Sequence, residues 1–223
     1  MEITAKMVAE LRQMTGVGMM ECKKALSEAN GDMDRAIKIL NEQGKAKVAK
    51  KAGRIAAEGV IGIYDHMNLH QKVALVELNI ETDFAAKNPK VYEAAKDFAM
   101  QVVATNPMAV RPEDLSAEYI QEQKEIFVAQ LKNDPKNANK PQAVLEKIVE
   151  GKLNKHFEEV CLLNQPFIKD PDKKVQDVIN DLTLVIGEKI TLRRFVRWEV
   201  GEGIEKRQDD FAAEVAAQAN GNF

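Results

Sequence analysis

Three runs rich in β-branched residues stand out in a chain whose other apolar residues mostly recur at helical spacing. Two of them, GVIGIYDH from Gly59 and KVALVELNI from Lys72, are joined by the short polar stretch MNLHQ, a pattern that predicts a β-hairpin. The third, KITLRRFVRWEV from Lys189, predicts one more strand. About three strands among many helices can form only a small antiparallel sheet with helices packed on one face. The sequence therefore predicts an α+β fold.

The first 44 residues carry the signals of three short helices. Thr4 is a candidate N-cap of the first, the Asn30-Gly31 pair is a C-terminal signal for the second, and Asp32 can cap a third that we expect Gly44 to close. A bundle of this size buries little apolar surface and is marginally stable by itself. Residues 1–44 are therefore predicted to be a docking module rather than a catalytic one.

Residues 45–58 are predicted to be a basic helical linker. Their basic residues all precede the one acid of the segment, Glu58. Two interpretations are open, a solvated helix face and an RNA-binding stripe. We favour the solvated face, because no aromatic residue is interleaved to stack on bases.

Four further segments complete the predicted organisation. They are a first part of the core (59–110), an antiparallel helical hairpin projecting from it (111–163), a second part of the core with the last strand (164–201), and a C-terminal helical module (202–223). The hairpin is predicted because two long amphipathic patterns are separated by the polar loop NDPKNANKP.

The last strand is expected to have one apolar face. That face would carry Ile190, Leu192, Val196, Trp198 and Val200, with Phe195 among arginines on the opposite face. One copy of a sheet of about three strands is too small to cover both of its faces. We therefore expect a homodimer in which a second, symmetric copy covers the exposed face.

Composition narrows the class of function. The formal net charge of −3 argues against nucleic acid as the main ligand, because phosphate binding usually needs a basic domain. No apolar run approaches the about 20 residues that span a bilayer, and the N-terminus does not resemble a secretory signal. Cys22 and Cys161 fit no metal spacing, so we expect idle thiols in a reducing cytoplasm.

Motifs that carry catalytic chemistry are missing from the sequence. There is no phosphate-binding GxxxxGK[ST] loop, no GxGxxG and no nucleophile elbow, and His66 and His70 are placed on a hairpin turn rather than a helix. We therefore expect a binding protein without a cofactor or metal of its own, not an enzyme.

One turn is unusual for a binding protein's surface. The stretch IETDFAAKNP follows the second predicted strand and places Asp83 and then Phe84 where turns are ordinarily polar. Phe84 either folds back into its own core or is presented for another molecule to bury.

Four stretches resemble the bacterial elongation factor Ts family. They are TGVGMMECKKAL, NIETDFAAKN, VIGEKITLRRF and GEGIEKRQDDFAAEVAA, and they occur in the family's order over nearly the whole chain. The resemblance implies a guanine-nucleotide exchange factor that binds the GTPase elongation factor Tu and promotes GDP release during translation elongation. It also implies that the N-terminal bundle is ubiquitin-associated-like and docks on the nucleotide domain of that GTPase.

The resemblance further implies which residues contact the partner. Phe84 would wedge between helices of the GTPase, and Asp83 would perturb the surroundings of its Mg²⁺. The other residues that the resemblance assigns to this contact are Arg12, Met19, Met20, His66, Ile186 and Gly187, together with Phe211 and Val215 of the C-terminal module. At least one of the two adjacent methionines should face outward, since neighbours on a helix do not share a face.

The core subdomain occurs once in this chain, whereas longer relatives carry it twice. The short form of the family makes up the second copy by homodimerising, which agrees with the half-covered sheet. A second class of function also remains open at this point. The chain could instead be a helical adaptor or chaperone-like module, with RNA contact at the basic linker.

Overall fold

The computed structural model describes residues 3–134 and 140–205. Its helices of a turn or more are α1 (Ala5–Thr15), α2 (Met19–Glu28), α3 (Met33–Lys51), α4 (Asp83–Ala86), α5 (Pro89–Thr105), α6 (Ala117–Lys132), α7 (Gln142–Val160) and α8 (Val175–Ile186). The strands are β1 (Glu58–Asp65), β2 (Lys72–Ile80), β3 (Pro166–Phe167), β4 (Asp170–Lys174) and β5 (Ile190–Glu199). The predicted α+β class is confirmed.

Helices α1 to α3 form the predicted N-terminal bundle. The Thr4 hydroxyl accepts from the Met7 amide at 3.3 Å and caps α1, and the Asp32 carboxylate accepts from the Arg35 amide at 2.9 Å and caps α3. The bundle has a small core of its own, formed by Val8, Leu11, Cys22, Ala25, Leu26, Ala29, Ala36 and Leu40. These two caps are the ones that the sequence predicts.

The third helix does not end where we expected. It continues through Gly44 to Lys51, so the expected closure at Gly44 is wrong and half of the predicted linker belongs to α3. Gly44 is buried against α8, and a Cβ added there would lie 2.8 Å from a methyl carbon of Leu184. The glycine therefore serves close packing between two helices rather than helix termination.

The core is a three-stranded antiparallel sheet in the order β1-β2-β5. Helix α5 packs on its inner face, where Val76, Leu78 and Phe98 are fully buried. The helix backbone touches the sheet at Gly62, where an added Cβ would lie 2.1 Å from the Ala95 carbonyl oxygen. Helix α8 packs on the same core and joins it to the N-terminal bundle through α3.

The expected alternation along β5 is wrong beyond its first residues. Ile190 and Leu192 pair with Ile80 and Leu78 on the buried face, but the register then shifts between Glu77 and Leu78. The shift is a β-bulge at Arg193 and Arg194, and one extra residue exchanges the two faces of a strand. Phe195 therefore packs on the core, while Val196 and Trp198 lie on the outer face.

The segment between α5 and α8 contains the predicted helical hairpin. Helices α6 and α7 contact each other, with Leu131, Val149 and Leu153 buried between them. After the hairpin, the second part of the core begins with a short antiparallel ribbon of β3 and β4, which the sequence analysis does not predict. The predicted C-terminal helix, with Phe211 and Val215, lies outside the described residues.

Two further expectations concern the whole chain. Within residues 3–134 and 140–205, the structure has no helix with the length and apolarity needed to cross a membrane. Cys22 and Cys161 are both buried and unpaired, and burial raises the pKa of the Cys161 thiol to about 11. Such a thiol stays protonated and unreactive near neutral pH.

Candidate functional site

The turn after β2 answers the question that Phe84 raises. The four-residue helix α4 begins at Asp83, directly beyond the end of the strand. Ala85 and Ala86 are buried and hold this short helix against the core, which directs the preceding two side chains away from it. The Phe84 side chain is 84% exposed, so its own fold does not bury it.

Local caps hold the turn in place. The Thr82 hydroxyl accepts from the Ala85 amide at 3.2 Å, which caps α4. The Asn88 side chain accepts from the Lys90 amide at 3.0 Å and caps α5, whose first residue is Pro89. With a cap on each side of a four-residue helix, the chain has little freedom to move Phe84 toward the core.

Asp83 is presented beside Phe84 as an anion. Its carboxylate accepts from the Lys87 ammonium group at 2.9 Å. The hydrogen bond and the charge of Lys87 lower the pKa of Asp83 below its usual value. The turn therefore offers a large apolar ring and a carboxylate side by side to solvent.

A second turn, at the end of α8, is attached to the first. The Glu188 carboxylate accepts from the Thr82 amide at 3.0 Å and from the Thr82 hydroxyl at 2.8 Å. The neighbouring Lys189 amide donates to Glu81 at 2.5 Å. We call this pair of joined segments, residues 81–84 and 187–189, the twin turn.

The twin turn is also joined to the end of α3. The Lys189 ammonium group donates to the carbonyl oxygens of Ala52 at 2.6 Å and Arg54 at 2.7 Å. The Arg54 guanidinium in turn donates to Glu81 at 3.3 Å, and Lys51 donates to the Gly187 carbonyl oxygen. Hydrogen bonds from the Lys189 amide and Arg54 keep the pKa of Glu81 low, which preserves the charge that this network needs.

The N-terminal bundle presents its own exposed residues. Arg12, Met19 and Met20 are all exposed, so both adjacent methionines face outward. Met14 is exposed in the same bundle, and the exposed Val185 of α8 lies beside the α1–α2 turn, 4.0 Å from the Cβ position of Gly16. The bundle and the adjacent end of α8 therefore both expose apolar side chains to solvent.

Ile186 and Gly187 differ in what they can offer to a partner. Ile186 is partly buried and packs against the sheet core. Gly187 is the left-handed C-cap of α8, at φ 84°, and its carbonyl oxygen is taken by Lys51. Both lie next to the twin turn, although most of the Ile186 side chain serves the fold.

His66 does not join this site. It starts the turn after β1, and β1 pairs with β2 so that this turn lies at the opposite end of the sheet from Thr82. The nine residues of β2 separate the two places by about 25 Å. Its ring nitrogen lies 3.3 Å from the Tyr64 hydroxyl oxygen. In the part of the chain that the structure describes, three or more His, Cys, Asp or Glu side chains nowhere gather as they would around a metal ion.

Sequence reasoning missed several residues of the site. The anchoring roles of Glu81, Glu188 and Lys189 join segments more than a hundred residues apart, which no local pattern indicates. The exposure of Val185 could have been predicted from the helical spacing, because this apolar residue lies off the buried stripe of α8.

Comparison with known proteins places these features in a family. The family model described as Elongation factor TS matches residues 2–202. The chain is similar to elongation factor Ts of Desulforamulus reducens, with 58% identity over 97% of this chain and 98% of the relative. It is also similar to elongation factor Ts of Acetivibrio thermocellus (54% identity, 98% of this chain, 100% of the relative) and of Geobacter sulfurreducens (48% identity, 98% and 99%).

Proposed function

The chain belongs to the elongation factor Ts family, the guanine-nucleotide exchange factors of elongation factor Tu in translation elongation, and from this we propose that its twin turn drives GDP release. The observation that carries this proposal is the exposure of Phe84 on a capped helix of four residues. A large apolar ring held in water is unfavourable unless another molecule buries it. The partner that buries it in this proposal is the GTPase.

The proposed mechanism is linkage between two ligands of the GTPase. Phe84 enters between helices of the partner and stabilises the arrangement that the nucleotide-free GTPase adopts. A factor that binds this state best must weaken GDP binding by the same coupling free energy. GDP then leaves without any bond being made or broken, so we expect this chain to perform no chemical step.

Asp83 has a second part in the proposal. Its lowered pKa keeps it charged at neutral pH, and it would be carried in beside Phe84. A carboxylate brought near the Mg²⁺ of the GTPase competes with the phosphate oxygens that the ion bridges. The loss of this bridge adds to the weakening of GDP binding.

The N-terminal bundle supplies affinity in this proposal. Arg12, Met19 and Met20 are exposed at its surface and would dock on the nucleotide domain of the GTPase. Long methionine side chains adapt well to an apolar partner surface. Ile186 and Gly187 would lie at the edge of the contact, beside the twin turn, and Phe211 and Val215 remain a proposed contact of the C-terminal module.

His66 cannot share the contact that the twin turn makes. It lies at the far end of the sheet from the twin turn, so it would have to contact a different part of the GTPase or a GTPase bound to a second copy of this chain. A His66→Ala variant that exchanges nucleotide like the native chain would remove His66 from the contact.

The experiment is stopped-flow release of fluorescent GDP from elongation factor Tu. Release should accelerate with added chain and reach a plateau, since a complex forms before GDP leaves. The GTPase alone, chased with unlabelled GDP, gives the uncatalysed rate. A release rate that stays at this level with saturating chain would refute the proposal.

The alternative adaptor with RNA contact receives less support. Lys47 pairs with Glu21, Lys51 donates to Gly187 and Arg54 pairs with Glu81, so these basic side chains are engaged within the fold. A stripe that binds RNA needs its cations directed at phosphates. We therefore expect no salt-dependent RNA binding by this segment.

We also propose that the chain is a homodimer through the outer face of its sheet. That face carries Ile61, Ile63, Val73, Leu75, Val196 and Trp198. Ile63, Leu75 and Val196 are direct cross-strand neighbours and form one apolar row across the three strands. Trp198 is 63% exposed at the end of the next row.

A second copy is the occupant that fits this face. The face carries apolar side chains on all three strands, beside the Glu77–Arg194 ion pair, and a symmetric pair would bury the same side chains from both copies. No cysteine lies on β5, so the association would be non-covalent and would depend on concentration. Sedimentation equilibrium at tens of micromolar should give about twice the 24.9 kDa of one chain, and a single species at 24.9 kDa would refute the dimer.

A further inference from the structure

The Glu188 carboxylate accepts hydrogen bonds from both the backbone and the side chain of Thr82. Its two oxygens accept separately from the Thr82 amide and the Thr82 hydroxyl, at 3.0 and 2.8 Å. The same hydroxyl uses its lone pairs to cap the Ala85 amide at 3.2 Å. A chain of hydrogen bonds therefore runs from the end of α8 through Thr82 into the first turn of α4.

We propose that Glu188 is a positioning residue for exchange, which fixes the direction in which Phe84 leaves the protein surface. This inference rests on the proposed function, because it assigns to Glu188 a part in the action of Phe84. Glu188 itself need not touch the partner or the nucleotide.

Phe84 needs such support because local caps keep it out of the core but do not set the direction in which its exposed ring points. Its side chain is 84% exposed, and the backbone of α4 has a single bond of the α-helical kind, from the Ala86 amide to the Thr82 carbonyl oxygen, with two shorter-range bonds at its end. Ala85 and Ala86 fix the inner side of α4, and Glu188 fixes its beginning from outside. Without the second anchor the short helix can rotate on its two alanines, and the ring would point in many directions.

Lys189, the neighbour of Glu188, supports the same interpretation. Lys189 holds the carbonyl oxygens beyond α3 and donates its amide to Glu81, so adjacent residues clamp the bundle side and the α4 side. Glu188 therefore fixes Phe84 relative to a segment that is itself fastened to the docking bundle. The angle between the docking surface and the ring is what this arrangement controls.

Positioning predicts a particular kinetic effect. The bundle surface makes the same contacts whether or not Phe84 is aligned, so the concentration of chain that gives half-maximal release should stay nearly constant. The maximal release rate should fall, because fewer complexes carry an aligned ring. A residue that only stabilised the fold would reduce the amount of active chain without changing the properties of the folded fraction.

The test compares Glu188→Gln with the native chain in fluorescent GDP release from elongation factor Tu. The amide keeps the shape of the side chain, but it is neutral and has one acceptor oxygen, so it cannot accept from both the Thr82 amide and the Thr82 hydroxyl through separate oxygens. We expect the maximal rate to fall about tenfold, the scale of one charge-assisted hydrogen bond, with half-saturation unchanged within about twofold. Glu158→Gln, which loses the exposed pair with Lys174, is the matched control and should exchange normally.

Three further variants separate positioning from stability. Thr82→Val removes the hydroxyl, and with it the Ala85 cap, so it should lower the maximal rate at least as much as Glu188→Gln, whereas Thr82→Ser keeps these hydrogen bonds and should exchange like the native chain. In a Phe84→Ala background, Glu188→Gln should cause no additional loss, because the side chain that it positions is gone. Equal losses with and without Phe84 would overturn the inference.

The outcomes also distinguish this inference from the proposed function. If the native chain does not accelerate GDP release, the proposed function fails. If the native chain is active and Phe84→Ala is impaired but Glu188→Gln matches the native maximal rate, only the positioning role is refuted.

Discussion

Replacing Phe84 with Ala should separate exchange from folding. A fully buried Phe contributes about 1.5–3 kcal/mol by burial. Phe84 is 84% exposed, so only about a sixth of its side chain is buried in the free chain. Phe84→Ala should therefore lower the free energy of unfolding by less than about 0.5 kcal/mol. For a chain of this size that is a change in melting temperature of less than about 2 °C.

The effect on exchange should be much larger. An aromatic side chain that fills a pocket of a partner typically contributes about 2 kcal/mol or more to the complex. This corresponds to a loss of about 30-fold in the GDP release rate measured below saturation. The assay is release of fluorescent GDP from elongation factor Tu, with melting followed by circular dichroism on the same preparations.

Two control variants bracket the result. Phe98 is fully buried and packs edge to face on Phe167, with the two ring centroids 5.9 Å apart. Phe98→Ala should therefore lower the free energy of unfolding by about 3–5 kcal/mol. Met108→Ala removes another exposed apolar side chain, beyond the far end of α5, and should change neither measurement. A steep drop in the melting temperature of Phe84→Ala, with normal exchange by the folded fraction, would show that Phe84 belongs to the core.

Three further changes test other parts of the structure. Val196→Arg would place a charge in the proposed dimer face and should give a folded monomer in sedimentation equilibrium; a stable dimer would contradict the choice of face. Gly62→Ala should lower the unfolding free energy by about 3 kcal/mol or more in urea titration, because its Cβ would overlap the backbone of α5, whereas Gly53→Ala, with no neighbour within 4 Å, should be neutral. Hydrogen bonds from two arginines of β5 lower the pKa of Glu77 below its ordinary value of 4.5. The ionised carboxylate therefore stabilises the folded chain fully above pH 4.5, and this stabilisation is lost as the pH falls through the lowered pKa. Glu77→Gln should be less stable than the native chain at pH 7, with a smaller difference at about pH 3.5.

Elements whose signals are local could be predicted from the sequence. The caps at Thr4 and Asp32, the hairpin of β1 and β2, and the end of α8 at Gly187 all depend on residues within a few positions of one another. Phe84 is an intermediate case: the residues leave open whether it is buried or presented, and the structure decides this because Ala85 and Ala86 occupy the inward positions of α4.

Features that depend on distant contacts could not be predicted. Gly44 resembles a helix terminator in the sequence, but it lies inside α3. A glycine is needed there because Leu184 approaches it from another helix. The bulge in β5 is defined by its pairing with β2, and without the partner strand a simple alternation was the natural expectation for Val196 and Trp198. Glu188 is an ordinary turn acid until the fold brings Thr82 to it.

The bulge in β5 has a spectroscopic consequence. The chain contains a single tryptophan, and the exchange of faces places it on the outer surface of the sheet. Intrinsic fluorescence excited at the indole therefore reports one location only. Its emission maximum shifts to shorter wavelength as water leaves the ring, so dilution of the unlabelled native chain would show directly whether that surface is covered or bare.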